Sequence, residues 1–462
     1  MNPRRLFRTL SSRFYKWFFL FWLVQPAPLR RRFFMTVSNW LPPTHKAFAE
    51  LVAKLGSDGP DKDPVLEFFQ RLLTTIDPQH FRRLSLLILA WLYRQHRGKP
   101  AQQKWAHSFP AFLSLELIDP PTPPQTGPDK QMDHGILSGL MEECRQNGTR
   151  YIHLCGTDPL LHTRALTLLR ENRKCLFTLQ SHGKLLNEMV IDDLYTSGNV
   201  IPLVNLAGFA KETDLAFGQG RYDENLLAMA GLAAKGMAFG VNLVARSDNY
   251  LMVTSKGFIE FLVERGVLFI KYEVFIPRHE HEFSLMLTAQ EHEALFRKTL
   301  EIRREHVVFA WEPTMEFTHH FGCIAQTGLS LYINTHGHVQ PCRHIHHTDA
   351  RLGEGRSLRE IINREGFIKN FRTLPQGPRK GGESFCYLYD KPGFVMKYAK
   401  HYHRKGGPQK SQIEFLQFLE DNKPKFSLQN ACCDNSPEKK NSFPSDAYQK
   451  CFDFLRQNLF PA

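Results

Sequence analysis

From residue 112 onward the chain repeats one alternation. A short apolar or β-branched run is followed by an amphipathic helical stretch, at a spacing of about 30 residues. The runs are FLSLELI (112–118), YIHLCG (151–156), CLFTLQS (175–181), VIPLVNLAG (200–208), AFGVNLVA (238–245), LFIKYEVFI (268–276) and VVFAWEP (307–313). Helical patterns lie between them near 136–147, 162–172, 185–197, 223–236, 255–265 and 288–304. Parallel neighbours in a sheet need a long crossover, and such crossovers are right-handed. Six consecutive βα units therefore predict an α/β fold, either an open barrel or a doubly wound sheet. In both, ligands bind at the carboxyl ends of the strands.

The flanks read differently. Residues 41–108 are helical, with DPVLEFFQRLLTTI (63–76) and FRRLSLLILAWLYRQ (81–95) carrying apolar residues at helical spacing. After the last unit, LSLYINTHGHVQPC (329–342) predicts a hairpin with Gly337 at its turn, and SLREIINREGFIKNFR (357–372) a helical stretch. Beyond about residue 400 the chain turns polar. A loosely ordered tail is expected over 401–445, with one late helix at 446–459. The organisation expected is thus a basic, aromatic segment (1–40), a helical region (41–108), the α/β body (109–315), a cysteine-containing extension (316–400) and a polar tail (401–462).

Charge is concentrated at one end. The net charge is +13, yet Arg4, Arg5, Arg8, Arg13, Lys16, Arg30, Arg31 and Arg32 all precede residue 33, where no acid occurs. The rest of the chain is near balance, so no nucleic-acid partner is expected. Between the basic clusters lies WFFLFWLV (Trp17–Val24). Eight apolar residues do not cross a bilayer core, which needs about 20. Residues 1–32 suit a peripheral membrane contact, with aromatics at headgroup level and arginines on anionic lipid, or equally a helix packed on the body. Nine cysteines without any C-x-x-C point to free or metal-bound thiols in the cytoplasm, at the inner face of the membrane if the anchor operates.

Several stretches, in order, carry a resemblance. GTDP (156–159) stands where one family has G-G-E-P, and LQSHGKLLNEM (179–189) resembles its T-N-G-T-L segment. GNVIPLVNLAGFAKETDLAFGQGRYDE (198–224) is similar to its fourth-strand region. Cys323, Gly337 and Cys342 fit the start of a SPASM motif. Together, over roughly 109–390, these resemble the radical S-adenosylmethionine proteins with a SPASM-like extension. The resemblance implies a partial (β/α)6 TIM-like barrel with a helical N-terminal region and a small C-terminal cysteine-containing hairpin.

The family's defining motif is missing. Its first strand leads into C-x3-C-x2-C, whose thiolates hold a 4Fe-4S cluster that binds S-adenosylmethionine. Here DPPTPPQTGPDKQMDHG (119–135) follows, and the first cysteine of the chain is Cys144. Asp119, Asp129, Asp133 and His134 are harder ligands at other spacings. In the co-substrate pocket, Asn205 and Ala207 replace a Ser and a Glu, and Ala216 and Phe217 stand where Arg is expected. Gly156, Thr157, Asp158 and Pro159 would form a degenerate S-adenosylmethionine site. The expectation is a pseudoenzyme that does not cleave S-adenosylmethionine. It would bind a substrate or serve an active paralogue. The alternative is an enzyme using a metal, or an acid/base pair such as Asp119 with His134 or Asp158.

By the same resemblance, Cys323, Cys342 and Cys386, with Cys432 or Cys433 as the fourth ligand, would hold an auxiliary 4Fe-4S cluster. Zinc is a rival, because His344, His346 and His347 adjoin Cys342. Inert buried thiols are the third reading. Adjacent His319 and His320, taken as extended, would offer at most one ligand. The polar stretch 278–282 reads as a solvated loop, and Cys155 and Cys175 read as core.

Overall fold

The computed structural model describes residues 64–85, 87, 109–119, 131–277, 279–320, 322–346, 348–353, 355–364, 366–374, 385–402 and 410–431. The expectations for residues 1–63, for the loop 120–130, for Cys432 and Cys433 and for the helix at 446–459 fall outside these.

Seven strands follow the predicted runs: β1 (Phe112–Glu116), β2 (Tyr151–Cys155), β3 (Leu176–Ser181), β4 (Val200–Leu206), β5 (Gly240–Ala245), β6 (Phe269–Val274) and β7 (Phe309–Trp311). Each pairs in parallel with the next. The two remaining strands are β8 (Ser330–Ile333) and β9 (Val339–Gln340). They pair antiparallel around a turn where Gly337 adopts φ 80°. β8 also lies parallel to β1, Phe112 opposite Ser330, so the sheet of nine runs β7-β6-β5-β4-β3-β2-β1-β8-β9.

Local chemistry fixes the helices between the strands. Asp133 caps the helix His134–Asn147 by accepting from the Gly135 and Ile136 N–H groups, and Gly148 at φ 90° ends it. Asn187 caps Glu188–Ser197, and Thr288 with Glu291 forms a capping box on Ala289–Glu305. Two helices follow β4, the expected one at Arg221–Ala234 and an additional one at Ala210–Phe217.

The two faces of the sheet differ in chemistry. Leu113, Leu115, Ile152, Leu154, Phe177, Leu179, Val241, Leu243 and Ile270 alternate along their strands and are wholly buried beneath the helices. Each such side chain contributes on the order of 2 kcal/mol by leaving water. The opposite face carries Glu116, His153, Thr178, Gln180, Asn205, Asn242, Lys271 and Glu273, also buried.

The amino ends of the strands are closed by the helix Pro64–Thr75 and the helical residues 78–85 that follow. Ile76 and Leu84 form a separate apolar cluster with Ile201, Ala238 and Leu268, at or just before the starts of β4, β5 and β6. Arg71 donates to the carbonyls of Val307 (2.5 Å) and Val263 (2.7 Å). Among the described residues, 64–85 thus cap the strands' amino ends; the rest of the expected helical region, including 88–95 of its second helix, lies outside them.

One expectation is corrected. Residues 410–431 do not behave as a loose tail: helices cover Lys410–Asp421, Lys423–Phe426 and Leu428–Ala431. Phe415, Leu416, Leu419, Phe426 and Leu428 are buried. Asp390 holds this segment, accepting from Ser427 Oγ at 2.6 Å and from the Gln429 N–H at 3.1 Å. Average composition concealed a short apolar stripe at helical spacing.

Candidate functional site

The polar face of the sheet carries a continuous chain of contacts. Tyr151 and Thr178 hydroxyls lie 2.9 Å apart, and Thr178 Oγ1 is 2.8 Å from His153 Nδ1. On its other side, His153 Nε2 lies 3.0 Å from Lys271 Nζ. Lys271 donates to Glu273 Oε1 at 3.1 Å. Glu273 Oε2 accepts from Gln180 at 3.3 Å and from Asn242 at 3.2 Å. Arg343, following β9, pairs with Glu273.

Residues from β2, β3, β5 and β6 therefore meet at one place, which requires the sheet to curl with this face inward. Closed barrels of parallel strands fill their interior with bulky apolar side chains. Here the interior is polar, and Arg343, though deep in the chain, keeps 39% of its side-chain surface accessible.

Burial sets the electrostatics. It holds Lys271 down to about 7, with the nearby Arg343 guanidinium adding to the effect. Burial likewise lowers His153 well below the ordinary imidazole value, helped by Lys271 and Arg343, so its ring is neutral at neutral pH. Arg343 is lowered by burial, opposed by Cys155 and Glu116. The Cys155 thiol is pushed up to about 11, again by burial.

This network was not identified from the sequence. Its signal was present in Y-I-H-L-C, L-F-T-L-Q, V-N-L and F-I-K-Y-E, where polar residues occupy alternate positions of otherwise apolar strands. Such alternation places them all on one face.

The GTDP turn follows β2. Gly156 adopts φ 104°, and a Cβ there would sit 2.9 Å from both Glu116 Cγ and the Ile118 carbonyl. Thr157 donates to the Asp119 carbonyl at 2.9 Å, and Pro159 is buried. Asp158 is fully engaged by the protein. One oxygen accepts from the Leu160 N–H (3.1 Å), the other from Ser181 Oγ (2.8 Å) and the His182 N–H (3.0 Å). Burial raises its pKa against the pull of these bonds. The carboxylate ties the ends of β2 and β3 together.

Asp119 and His134 each have other partners. Asp119 lies 3.3 Å from His336 Nε2, and His134 Nε2 is 3.1 Å from Thr163 Oγ1. Asn205 and Ala207 are buried, their carbonyls accepting from Asn225 and Asn249. Ala216 and Phe217 end a helix, and the Phe217 ring packs 4.8 Å from His182. His319 and His320 are not extended, as assumed; they end the helix Pro313–His320. His319 stacks on Phe296 and lies 3.6 Å from Glu293. Residues 279–281 are exposed at the start of a short 3-10 turn.

Cys323 and Cys386 lie in contact, with Cys342 near them. The Cys386 thiol donates to the Cys323 sulfur, which lowers the Cys323 pKa and raises that of Cys386. Backbone N–H groups of Tyr387, Ala325 and Gln326 also point at Cys323. Cys342 lies within charge range of both thiols, and burial pushes it up to about 12. Its sulfur receives the N–H groups of His344 and Ile345. His344 is held down to about 3 by burial, with Arg343 adding to it. Among the described residues, no three His, Cys, Asp or Glu side chains form a group that could hold a metal ion. Soft donors and sulfur-directed N–H groups are nevertheless what an iron–sulfur cluster requires. Cys144, Cys155 and Cys175 are buried.

No family model and no curated protein matches this chain. Among solved structures, it is similar to SuiB of Streptococcus suis bound to S-adenosylmethionine. That match has a TM-score of 0.50 and 14% identity, covering 90% of this chain and 91% of that one. SuiB bound to the precursor peptide SuiA gives a TM-score of 0.50 at 13% identity, covering 90% and 92%. At such identity the likeness is one of fold.

Proposed function

We propose that this chain is a radical S-adenosylmethionine-type barrel that has lost the radical-forming cluster and works as a binding protein on its concave polar face. The observation that carries this reading lies after β1. No cysteine occurs before Cys144, which is buried in a helix, while the interior at that level holds Glu116, Lys271, Glu273 and Arg343. The engagement of all the described bonds of Asp158 by the protein supports it further. One SuiB structure contains a precursor peptide. We extend that to a peptide, a lipid intermediate or an active paralogue as the partner here. Residues 1–32 would hold the complex at an anionic membrane surface in the cytoplasm. Among the described residues, no helix is long and apolar enough to cross a membrane.

In this reading Cys323, Cys342 and Cys386, with Cys432 or Cys433, hold an auxiliary 4Fe-4S cluster, and zinc is the rival occupant. When bound, the cluster would supply one-electron transfer or cross-link the hairpin to the C-terminal segment. An Asp119–His134 acid/base pair has less support, because each residue is bonded elsewhere.

The test is anaerobic purification after iron and sulfide reconstitution, then incubation with S-adenosylmethionine and dithionite. About four irons per chain, lost in Cys342→Ala, and no 5′-deoxyadenosine are expected. Repeated turnover to 5′-deoxyadenosine would overturn the reading.

A further inference from the structure

The helices Glu188–Ser197 and Arg221–Ala234 lie side by side on the outer side of the sheet, and a groove of about 560 Å³ runs between them. Its floor is apolar, made by the buried residues Leu186, Ile191 and Ala228. Gly231 leaves the second helix bare at this point, and a Cβ there would stand 2.8 Å from Ile191 Cδ1. One turn earlier, Leu227 stands at the groove with 73% of its surface in water. Met189 on the first helix and Leu215 on the helix preceding the second are 72% and 80% exposed. Single apolar residues on a surface are ordinary, whereas large ones gathered about an apolar groove mark a contact surface.

The pattern along the helix Arg221–Ala234 is its own complement. Leu227 and Gly231 lie two residues before and after Met229, so a two-fold axis through that point exchanges them. Two antiparallel copies of the helix would seat Leu227 of each over Gly231 of the other, ridge into gap. Charge obeys the same axis. Glu224 lies five residues before Met229 and Lys235 six after it, and both line the groove with Gly231. The same pairing therefore brings Glu224 of each copy to Lys235 of the other, where a parallel pairing would set like charges together. Lys184 and Glu188 complete the rim with one charge of each sign. Within one chain Glu224 pairs with Arg221 and Lys235 with Asp192, partly exposed pairs that cost little to exchange.

We propose that this groove is the contact surface of a homodimer, in which two chains pair their Arg221–Ala234 helices antiparallel about a two-fold axis near Met229. Leu227 anchors the contact, and the Glu224–Lys235 pairs set its orientation. A two-fold contact closes on itself, so assembly stops at two chains. A standard interface buries about 800 Å² per partner, more than one helix offers, and exposed Met189 and Leu215 extend the apolar surface on either side. The groove lies on the helical side of the sheet, opposite the polar face proposed above for binding. The dimer therefore stands or falls apart from that function.

The test is light scattering during gel filtration of the full-length protein over a dilution series. A mass twice the 53.5 kDa of one chain is expected at the concentrated end. Leu227→Asp is expected to weaken the dimer by about ten-fold or more. Glu224→Lys and Lys235→Glu each bring like charges together, and each alone is expected to weaken it about ten-fold. Mixed in equal amounts, these two variants are expected to recover the doubled mass, because the mixed pair matches at both contacts. Circular dichroism checks that each variant is folded. A wild-type protein that stays at the mass of one chain would overturn the proposal. If Leu227 in that monomer also resisted hydroxyl-radical labelling, the groove would belong to another part of the same chain. A dimer indifferent to Leu227→Asp would overturn the choice of surface, and failure of the two charge variants to recover on mixing would overturn the antiparallel pairing.

Discussion

His153 Nε2 on β2 and Lys271 Nζ on β6 lie 3.0 Å apart, although three strands separate β2 from β6 in the sheet. In a flat sheet four strand spacings amount to about 19 Å. The contact is therefore made across the inner face of a curled sheet, and it ties distant strands together. His153→Leu, which removes the ring nitrogens, is expected to lower unfolding stability by about 1–3 kcal/mol by leaving Lys271 and Thr178 without that partner. Urea midpoints at constant slope measure it.

Asp158 is expected to matter for stability and not for S-adenosylmethionine. Its three accepted bonds join two strand ends. Asp158→Ala should cost about 2–4 kcal/mol, and Asp158→Asn less, since one oxygen survives. Calorimetric titration with S-adenosylmethionine should give the same result for wild type and the Asn variant. A change confined to binding, with stability intact, would return Asp158 to a ligand site.

Lys271 makes stability depend on pH in a defined direction. Folding lowers its pKa from 10.5 to about 7, so between those values the unfolded chain binds the extra proton. Unfolding free energy should then rise with pH above 7. His153, Cys155, Glu273, Glu312, Arg343 and His344 face or influence this amine. Cys155, raised to about 11, opposes the trend only at higher pH, and His344, lowered to about 3, acts below the window. Chemical denaturation from pH 7 to 8.5 should show wild type gaining on Lys271→Met. A flat difference would mean that the lysine keeps its proton throughout.

Ser427 anchors the C-terminal helices through Asp390, at 2.6 Å. Ser427→Ala is expected to weaken that docking by about 1.5–3 kcal/mol, the value of a bond to a charged acceptor. Hydrogen exchange should quicken across 413–428 while amides of β1 to β6 keep their protection.

The fold was legible because period carries it: apolar runs of strand length alternating with amphipathic helices leave few topologies. The site was less so. His153, Lys271 and Glu273 come from different strands, and only the curl of the sheet makes them neighbours. Arg343 reaches Glu273 from the turn after β9, beside Cys342. Cys323 lies in contact with Cys386 although 63 residues separate them in the chain, and Asp158 accepts from Ser181 and backbone N–H groups, contacts that no local motif announces. The segment 410–431 was misjudged because Lys, Gln and Asp surround the few residues that pack.

β8 beside β1 bears on how the molecule is made. The partners Phe112 and Ser330 are more than two hundred residues apart in the chain. During synthesis, β1 can pair with β2 early, but its other edge stays open until nearly three-quarters of the protein has left the ribosome. An open edge of this kind can pair with the wrong chain. Partial chains ending before β8 should therefore be those that most need a chaperone.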